Sequence, residues 1–225
     1  MKEGQDKSFS EVWENLHATQ EWGKYPSESV IRFVARNFYK KKREDVRILD
    51  FGCGAGANTW FLAREGFDVY AFDGSQSAID KAKKYLEQEG QKEVHFTVQD
   101  GISIFYEDNF FDSVIDSVCI YANTKQNIDR MYEQIYRVLK KGGKLYSSCF
   151  GTETHGYKTG NEIETGTYEN MTSGVLEGRG IAHFFTAEEF YEQLSKKGFV
   201  NICIDTMQYT DGGIPVEMLI AKAEK

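Results

Sequence analysis

Apolar positions along the chain fall into two recurring rhythms. Short apolar runs at residues 46–51, 69–73, 94–98, 113–118 and 144–150 are rich in Val, Ile and Phe and read as strands. Between them, apolar residues recur at i, i+3 and i+4 over 57–66, 77–89 and 126–139, which predicts amphipathic helices. Gly66 and Gly90 stand where helix C-caps belong. Ahead of the first strand, Phe9, Val12, Trp13 and Leu16 make one helical face, and Val30, Ile31, Phe33, Val34 and Phe38 make another, with Ser27 as its cap. Residues 1–7 are polar and read as a frayed end.

After residue 150 the rhythm breaks. Residues 151–183 hold Gly, Thr, Glu and Tyr with no sustained period, and a segment that long without structure is uncommon unless it is functional. It is expected to carry one or two short strands and to lie over a ligand. Thr186 and Glu189 then form a capping box for a helix that ends before Gly198. Two last apolar runs, 200–205 and 215–221, are joined by Asp211-Gly212-Gly213 and so pair antiparallel.

Alternating strands and helices predict the α/β class: a Rossmann-like three-layer sandwich around a mostly parallel seven-stranded sheet, with a C-terminal antiparallel hairpin and added N-terminal helices. A single domain is expected over 1–225, comprising an N-terminal helical cap (1–45), a ligand-binding core (46–150), a substrate-side insertion (151–185) and a C-terminal helix and hairpin (186–225).

Charge narrows the partners. The 35 acidic residues exceed the 27 basic ones, for a net charge of −8, which weighs against a nucleic-acid backbone. The basic run at 40–43 reads as a solvated helix end. Four cysteines lie far apart with no C-x-x-C pair, so free thiols in a reducing cytoplasm are expected, and no metal. The N-terminus shows no apolar leader, and no stretch approaches the roughly 18 apolar residues of a membrane span. A cytoplasmic monomer or homodimer with neither a membrane nor a nucleic-acid partner is expected.

The chemistry concentrates in residues 46–73. Gly52, Gly54 and Gly56 follow the first strand and open a helix, where backbone N–H groups and the dipole favour an anion. Seventeen residues after Gly56, Asp73 ends the second strand, the position of a carboxylate that grips ribose hydroxyls. Dinucleotide sites read G-x-G-x-x-G, whereas this turn reads G-x-G-x-G with Asp50 two residues ahead. Asp50 would repel a pyrophosphate but suit an ammonium, or a water that holds one. An adenosine with an amino-acid tail fits both ends, which points to S-adenosylmethionine. Asp100, beside Gly101 at the end of the third strand, and Asp116, inside the fourth, are further acidic posts. A carboxylate at Asp116 needs a partner, either the cofactor or a backbone donor.

In these motifs the chain resembles the class I S-adenosylmethionine-dependent methyltransferases of the small-molecule, type-11-like group. The resemblance rests on ILDFGCGAGAN (48–58), VYAFDGS (69–75), VQDG (98–101), FFDSVIDS (110–117) and RVLKKGGKLY (137–146). It implies cofactor contacts from Cys53, Asn58, Gly74, Ser75 and Ser117, and reading of the adenine edge by Asp100 and the Gly101 N–H. The W…KYP segment ahead of the sheet resembles methyltransferases of bacterial polysaccharide and natural-product clusters, which implies that Trp13 and Tyr25 cover the cofactor. The family more often has Pro at the place of Lys141, a departure confined to a turn. S-adenosylhomocysteine would be the product.

The acceptor side is less defined. A small molecule methylated on O or N, a sugar or other metabolite, is expected. His183 and His155, which flank the insertion, are candidate general bases, with His17 a third; Tyr121 and Asn123 are acceptor-side candidates. A nicotinamide-dependent oxidoreductase and a non-catalytic S-adenosylmethionine-binding protein are the alternatives.

Overall fold

A computed structural model describes residues 7–91 and 93–225. The frayed end expected at 1–7 lies outside the described residues except for Lys7. Two helices come first, α1 (Glu11–Thr19) and α2 (Glu28–Phe38). The central series follows as β1 (Arg47–Phe51), α3 (Ala57–Arg64), β2 (Asp68–Asp73), α4 (Gln76–Gln88), β3 (Val94–Val98), β4 (Phe111–Ser117), α5 (Lys125–Val138) and β5 (Leu139–Phe150). Three short strands occupy the insertion: β6 (Asn161–Glu164), β7 (Thr167–Glu169) and β8 (Ala182–His183). The chain closes with α6 (Ala187–Lys196), β9 (Val200–Asp211) and β10 (Ile214–Glu224).

The main sheet has seven strands in the order β3-β2-β1-β4-β5-β10-β9. Pairings from β3 through β5 are parallel, and β10 inserts antiparallel between β5 and β9. Strand order reverses at β1, which has β2 on one side and β4 on the other, so the loops after β1 and β4 diverge and leave a crevice. Apolar runs in these strands are continuous because both faces are covered. Leu49, Val114, Leu145 and Leu219 pack on the face that also receives Tyr132, Ile135, Phe190 and Leu194 of α5 and α6. Their neighbours Ile48, Ile115, Tyr146 and Ile220 pack on the opposite face, against Val30, Phe33, Trp60 and Leu62 of α2 and α3. The strand period of two thus builds two cores, one on each side.

Several boundaries differ from the sequence expectation. The hairpin strands run on past Asp205 and begin before Pro215. Main-chain pairing continues to Asp211↔Ile214 although the side chains of β9 there are exposed and carry no apolar signal. The turn expected at 141–143 lies within β5, where the Gly142 N–H donates to the Lys225 carbonyl at 2.8 Å and the Lys225 N–H to the Gly143 carbonyl at 3.1 Å. Ser27 stands at the α2 N-cap, but its hydroxyl pairs with Ser29 rather than capping the helix. The insertion holds a separate three-stranded antiparallel sheet, one strand more than the upper expectation. Among the described residues no helix is long and apolar enough to cross a membrane.

Candidate cofactor and acceptor site

Three left-handed glycines build the turn that leaves β1. Gly52, Gly54 and Gly56 have φ of 69°, 51° and 90°. Each position is also short of space. A Cβ on Gly52 would lie 2.7 Å from the Cys119 Cβ, and one on Gly56 2.9 Å from the Ala82 Cβ on α4. The turn is tied to β2: the Cys53 N–H donates to the Phe72 carbonyl at 2.8 Å, and the Gly54 N–H to Asp73 Oδ2 at 2.9 Å. Asp73 Oδ1 accepts the Ser75 N–H at 2.9 Å. Helix α3 starts at Gly56, which has no side chain to cap its first amides.

A cavity of about 440 Å³ opens over this turn. Gly52, Cys53, Gly54, Asn58, Asp73 and Gly74 line it from the first two strand ends. Gly101, Ser117, Tyr121 and Asn123 line it from the later ones, and Trp13 and Tyr25 from the N-terminal cap. The sequence-predicted site residues thus converge in large part on one space.

Five of those expected on the cofactor side do not reach the cavity wall. Asp50 is buried beneath the turn, where Oδ2 accepts the Thr59 hydroxyl at 2.5 Å and Oδ1 has no partner. Gly56 packs against α4 instead of a ligand. The Ser75 hydroxyl caps α4 by accepting the Ala78 N–H at 3.0 Å and donates to Glu14 at 2.6 Å. Asp116 is satisfied inside the protein, accepting from Cys119 N–H at 3.0 Å, Ile120 N–H at 3.2 Å and the Ser147 hydroxyl at 2.5 Å. Asp100 is covered by the segment leading into α1: it accepts Ser8 N–H at 2.8 Å, Phe9 N–H at 3.1 Å and the Ser8 hydroxyl, besides its own Ile102 N–H at 3.1 Å. The Phe9 ring packs on Gly74 so closely that a Cβ there would fall inside it.

Burial pushes Asp50 and Asp116 up to about 6, with hydrogen bonds from Thr59 and Ser147 opposing the rise. An acid raised above its unfolded value near 3.9 holds its proton more tightly when folded. It therefore adds stability at low pH that is lost as pH rises through about 6. The thermal midpoint of the ligand-free protein is expected to fall between pH 5 and 7, and Asp50→Asn to remove a large part of that fall in calorimetry. An unchanged pH profile in the variant would show that Asp50 titrates normally.

The histidines are redistributed. His183 is buried and faces the insertion's own sheet, with Nδ1 2.8 Å from the Thr167 hydroxyl and its ring edge-on to Phe185. Its Nε2 lies 3.3 Å from Glu189 Oε1, within ion-pair range but not aligned for a hydrogen bond. His155 is exposed and joins the insertion to β10 through its backbone N–H, 2.9 Å from the Pro215 carbonyl. Neither lines the cavity. Phe184 and Phe185 do make an apolar setting for His183, but one in the interior of the insertion rather than at the ligand. Tyr121 does line the cavity, yet burial pushes its phenol far above the ordinary range, so it stays protonated and can orient but not deprotonate an acceptor.

The cavity's histidine is His17 of α1. It stacks on Trp22 at 4.8 Å between ring centroids, sits against Gly54, and leaves Nδ1 buried and unpartnered. Burial lowers its pKa, against an opposing pull from Asp73, so the ring is neutral at neutral pH. Helix α1 is held there by Glu14, whose carboxylate accepts the Ser75 and Ser77 hydroxyls at 2.6 and 2.5 Å beside the N-terminus of α4. Trp22, Arg179 and Tyr209 also line the cavity and were not singled out from sequence. Only the aperiodic character of 151–183 hinted that Arg179 had a task there.

A methyltransferase-domain family profile matches residues 48–143. Methyltransferase phqN of Penicillium fellutanum is 26% identical over 181 residues, covering 78% of this chain and 52% of that protein. Phosphoethanolamine N-methyltransferase 2 of Caenorhabditis elegans is 27% identical over 165 residues, covering 71% of this chain and 34% of that protein. The chain thus spans about half or less of the length of these relatives. Among solved structures, an S-adenosylmethionine-dependent methyltransferase of Methanosarcina mazei superposes with a TM-score of 0.73 at 25% identity, covering 89% of this chain and 98% of that one. Phosphoethanolamine N-methyltransferase 2 of Haemonchus contortus, solved with S-adenosyl-L-methionine, gives 0.69 at 20% identity over 95% of this chain and 56% of that one. Sheet order, glycine turn and these likenesses agree: residues 48–143 match a methyltransferase domain, and the fold is the one seen in S-adenosylmethionine-dependent methyltransferases.

Proposed function

We propose that this protein transfers the methyl group of S-adenosylmethionine to an oxygen or nitrogen of a small molecule, with sugars and other metabolites as candidate acceptors. The observation that carries this reading is the shared cavity of Asp73 and the glycine turn, joined by the Gly54–Asp73 hydrogen bond of 2.9 Å. The residues fit the cofactor. Asp73 presents a carboxylate to ribose hydroxyls, and the uncapped start of α3 offers N–H groups to a carboxylate. Asp50 has an unused buried oxygen that can hold an ammonium through a water, and the ammonium would draw its pKa back down. Gly101 and Asp100 stand at the adenine end, where an adenine amine would have to share Asp100 with Ser8 and Phe9.

S-adenosylmethionine, when bound, supplies a methyl carbon activated by a sulfonium. The acceptor's lone pair forms the new bond to that carbon as the carbon–sulfur bond breaks and its electron pair goes to sulfur. The protein's part is alignment and exclusion of water by Trp13, Trp22 and Tyr25, and alignment alone can supply about 7–11 kcal/mol. An acceptor hydroxyl or ammonium must also lose a proton. His17, neutral and with an unpartnered ring nitrogen, is the cavity's candidate for it, in place of His155 and His183.

Thermal shift with each cofactor tests the assignment. S-adenosylhomocysteine should raise the melting temperature, and by more at pH 7.5 than at pH 5.5, because Asp50 is then ionised. Stabilisation by NAD and not by S-adenosylhomocysteine would replace this reading with a nicotinamide-dependent one. Binding without methyl transfer to any of a metabolite panel would favour a non-catalytic binding protein.

A further inference from the structure

Among the described residues the cavity wall carries one arginine and no lysine. That residue, Arg179, comes from the insertion, and its guanidinium lies over the Trp22 ring, 5.3 Å from the centroid. Among the described residues no carboxylate stands within ion-pair distance of it, and its side chain makes no hydrogen bond. The protein has 35 acidic side chains and a net charge of −8, and several other partly buried cations do find an acid. Arg137 is paired with Asp108 at 2.8 Å, Lys197 with Asp129 at 2.7 Å and Lys140 with Asp112 at 2.7 Å.

The arginine is not the sole donor without an acceptor in that corner. Trp22 Nε1, an obligate donor, is buried and unpartnered, and so is Nδ1 of His17, which stacks on the same indole. His17 itself is only 6% exposed. A buried N–H left without an acceptor costs about 1–3 kcal/mol, so the Trp22 N–H beside an unpaired guanidinium marks a place where a ligand oxygen belongs. Tyr121 lines the same cavity within electrostatic reach of Arg179, and its phenol remains protonated and adds a further donor.

We propose that Arg179, Trp22 and Tyr121 form an oxyanion subsite for the methyl acceptor, and that the acceptor therefore carries a carboxylate or phosphate group. This rests on the methyltransferase reading for the word acceptor, but the anion site itself does not depend on it. A guanidinium takes such a group through two parallel N–H bonds, which fixes the acceptor's direction as well as its position. Arg179 thereby positions the acceptor and takes no part in bond making. The cofactor's own amino-acid carboxylate is the competing source of the same chemistry, and the experiment separates the two.

The test uses wild type, Arg179→Gln and Trp22→Phe, with folding checked by circular dichroism and thermal melting. The probes are inorganic phosphate and benzoate, titrated with and without saturating S-adenosylhomocysteine. Both anions are expected to raise the wild-type melting temperature, and benzamide is not. Arg179→Gln should weaken anion binding about tenfold or more, and Trp22→Phe, which removes the N–H and keeps a ring, by a smaller factor. Affinities for S-adenosylhomocysteine and for 5′-methylthioadenosine, which lacks the amino-acid tail, are then compared by calorimetry. Similar values in wild type and Arg179→Gln support the proposal. Loss of S-adenosylhomocysteine affinity with 5′-methylthioadenosine unaffected would give Arg179 to the cofactor and overturn it. Anion binding that is absent from wild type, or unchanged in Arg179→Gln, would overturn it as well. Failure of wild type to bind S-adenosylhomocysteine would sink the methyltransferase reading alone, since the anion arm is read without it.

Discussion

Gly52→Ala is expected to cost cofactor affinity about a hundredfold or more and to destabilise the protein measurably. Two separate penalties add at this position. The backbone stands at φ 69°, where an alanine loses about 1–2 kcal/mol relative to its preferred conformation. The new methyl would meet Cys119, its carbon 2.7 Å from the Cys119 Cβ, and overpacking of that kind adds about 1–3 kcal/mol. Relief can come only by moving the turn or the segment after β4, and both line the cavity. Gly66→Ala is the control. Gly66 also has a positive φ, 85°, but a Cβ there meets nothing within 4 Å, so only the backbone penalty applies and ligand binding should survive. Adding Cys119→Gly to Gly52→Ala removes the clash and keeps the backbone penalty, so it should recover part of the loss. Isothermal titration with S-adenosylhomocysteine and urea unfolding of wild type and the three variants separate these contributions. Wild-type affinity in Gly52→Ala would show that the turn does not hold the ligand.

The same glycine shows what a sequence can and cannot disclose. Spacing alone placed three glycines after a strand and before a helix, and ligand approach is a sufficient reason for them. In the fold their missing side chains are filled by protein: Cys119 at Gly52, His17 at Gly54 and Ala82 at Gly56. Those neighbours are 67, 37 and 26 residues away, and no local pattern could report them. The sheet was legible for the opposite reason. Its strands alternate between two cores, as Ile48 and Leu49 do, so each run is apolar throughout and stands out from the amphipathic helices between. The lengthening of the hairpin was not, because ladder hydrogen bonds continue under exposed Thr206, Gln208 and Thr210, whose side chains carry no burial signal. His183 misled because an apolar neighbourhood is common to a ligand cavity and to a folded insertion, and sequence does not tell the two apart. Asp100 was legible as a loop carboxylate beside a glycine, whereas its cover by Ser8 and Phe9 depends on how α1 lies across α4. Glu14, on the serines at the start of α4, sets that placement.

Asp73→Ala is the second substitution with a large expected effect, and its reading must allow for two duties. The carboxylate holds the turn through the Gly54 and Ser75 N–H groups, each at 2.9 Å, and it faces the cavity with the ribose assigned to it. Burial raises its pKa, while the Ser75 N–H and His17 oppose that rise, so the charge is sustained by the groups around it. Alanine abandons two backbone donors and every ligand bond at once. Charge-assisted bonds of this kind are worth about 1.5–3 kcal/mol, or roughly a 10- to 150-fold loss of S-adenosylhomocysteine affinity. Asp73→Asn keeps the shape and one acceptor oxygen and should lose less. Turn damage and ribose loss are told apart by the ligand rather than by the protein. Wild type should bind 2′-deoxy-S-adenosylhomocysteine more weakly than the parent compound, since one ribose hydroxyl is gone. If Asp73 is the group that hydroxyl meets, the preference should vanish in Asp73→Ala, because neither ligand then has a carboxylate to find. A variant that binds both ligands poorly yet still prefers the full ribose would leave Asp73 with the turn alone. The grip on the sugar would then have to come from another residue of the cavity wall.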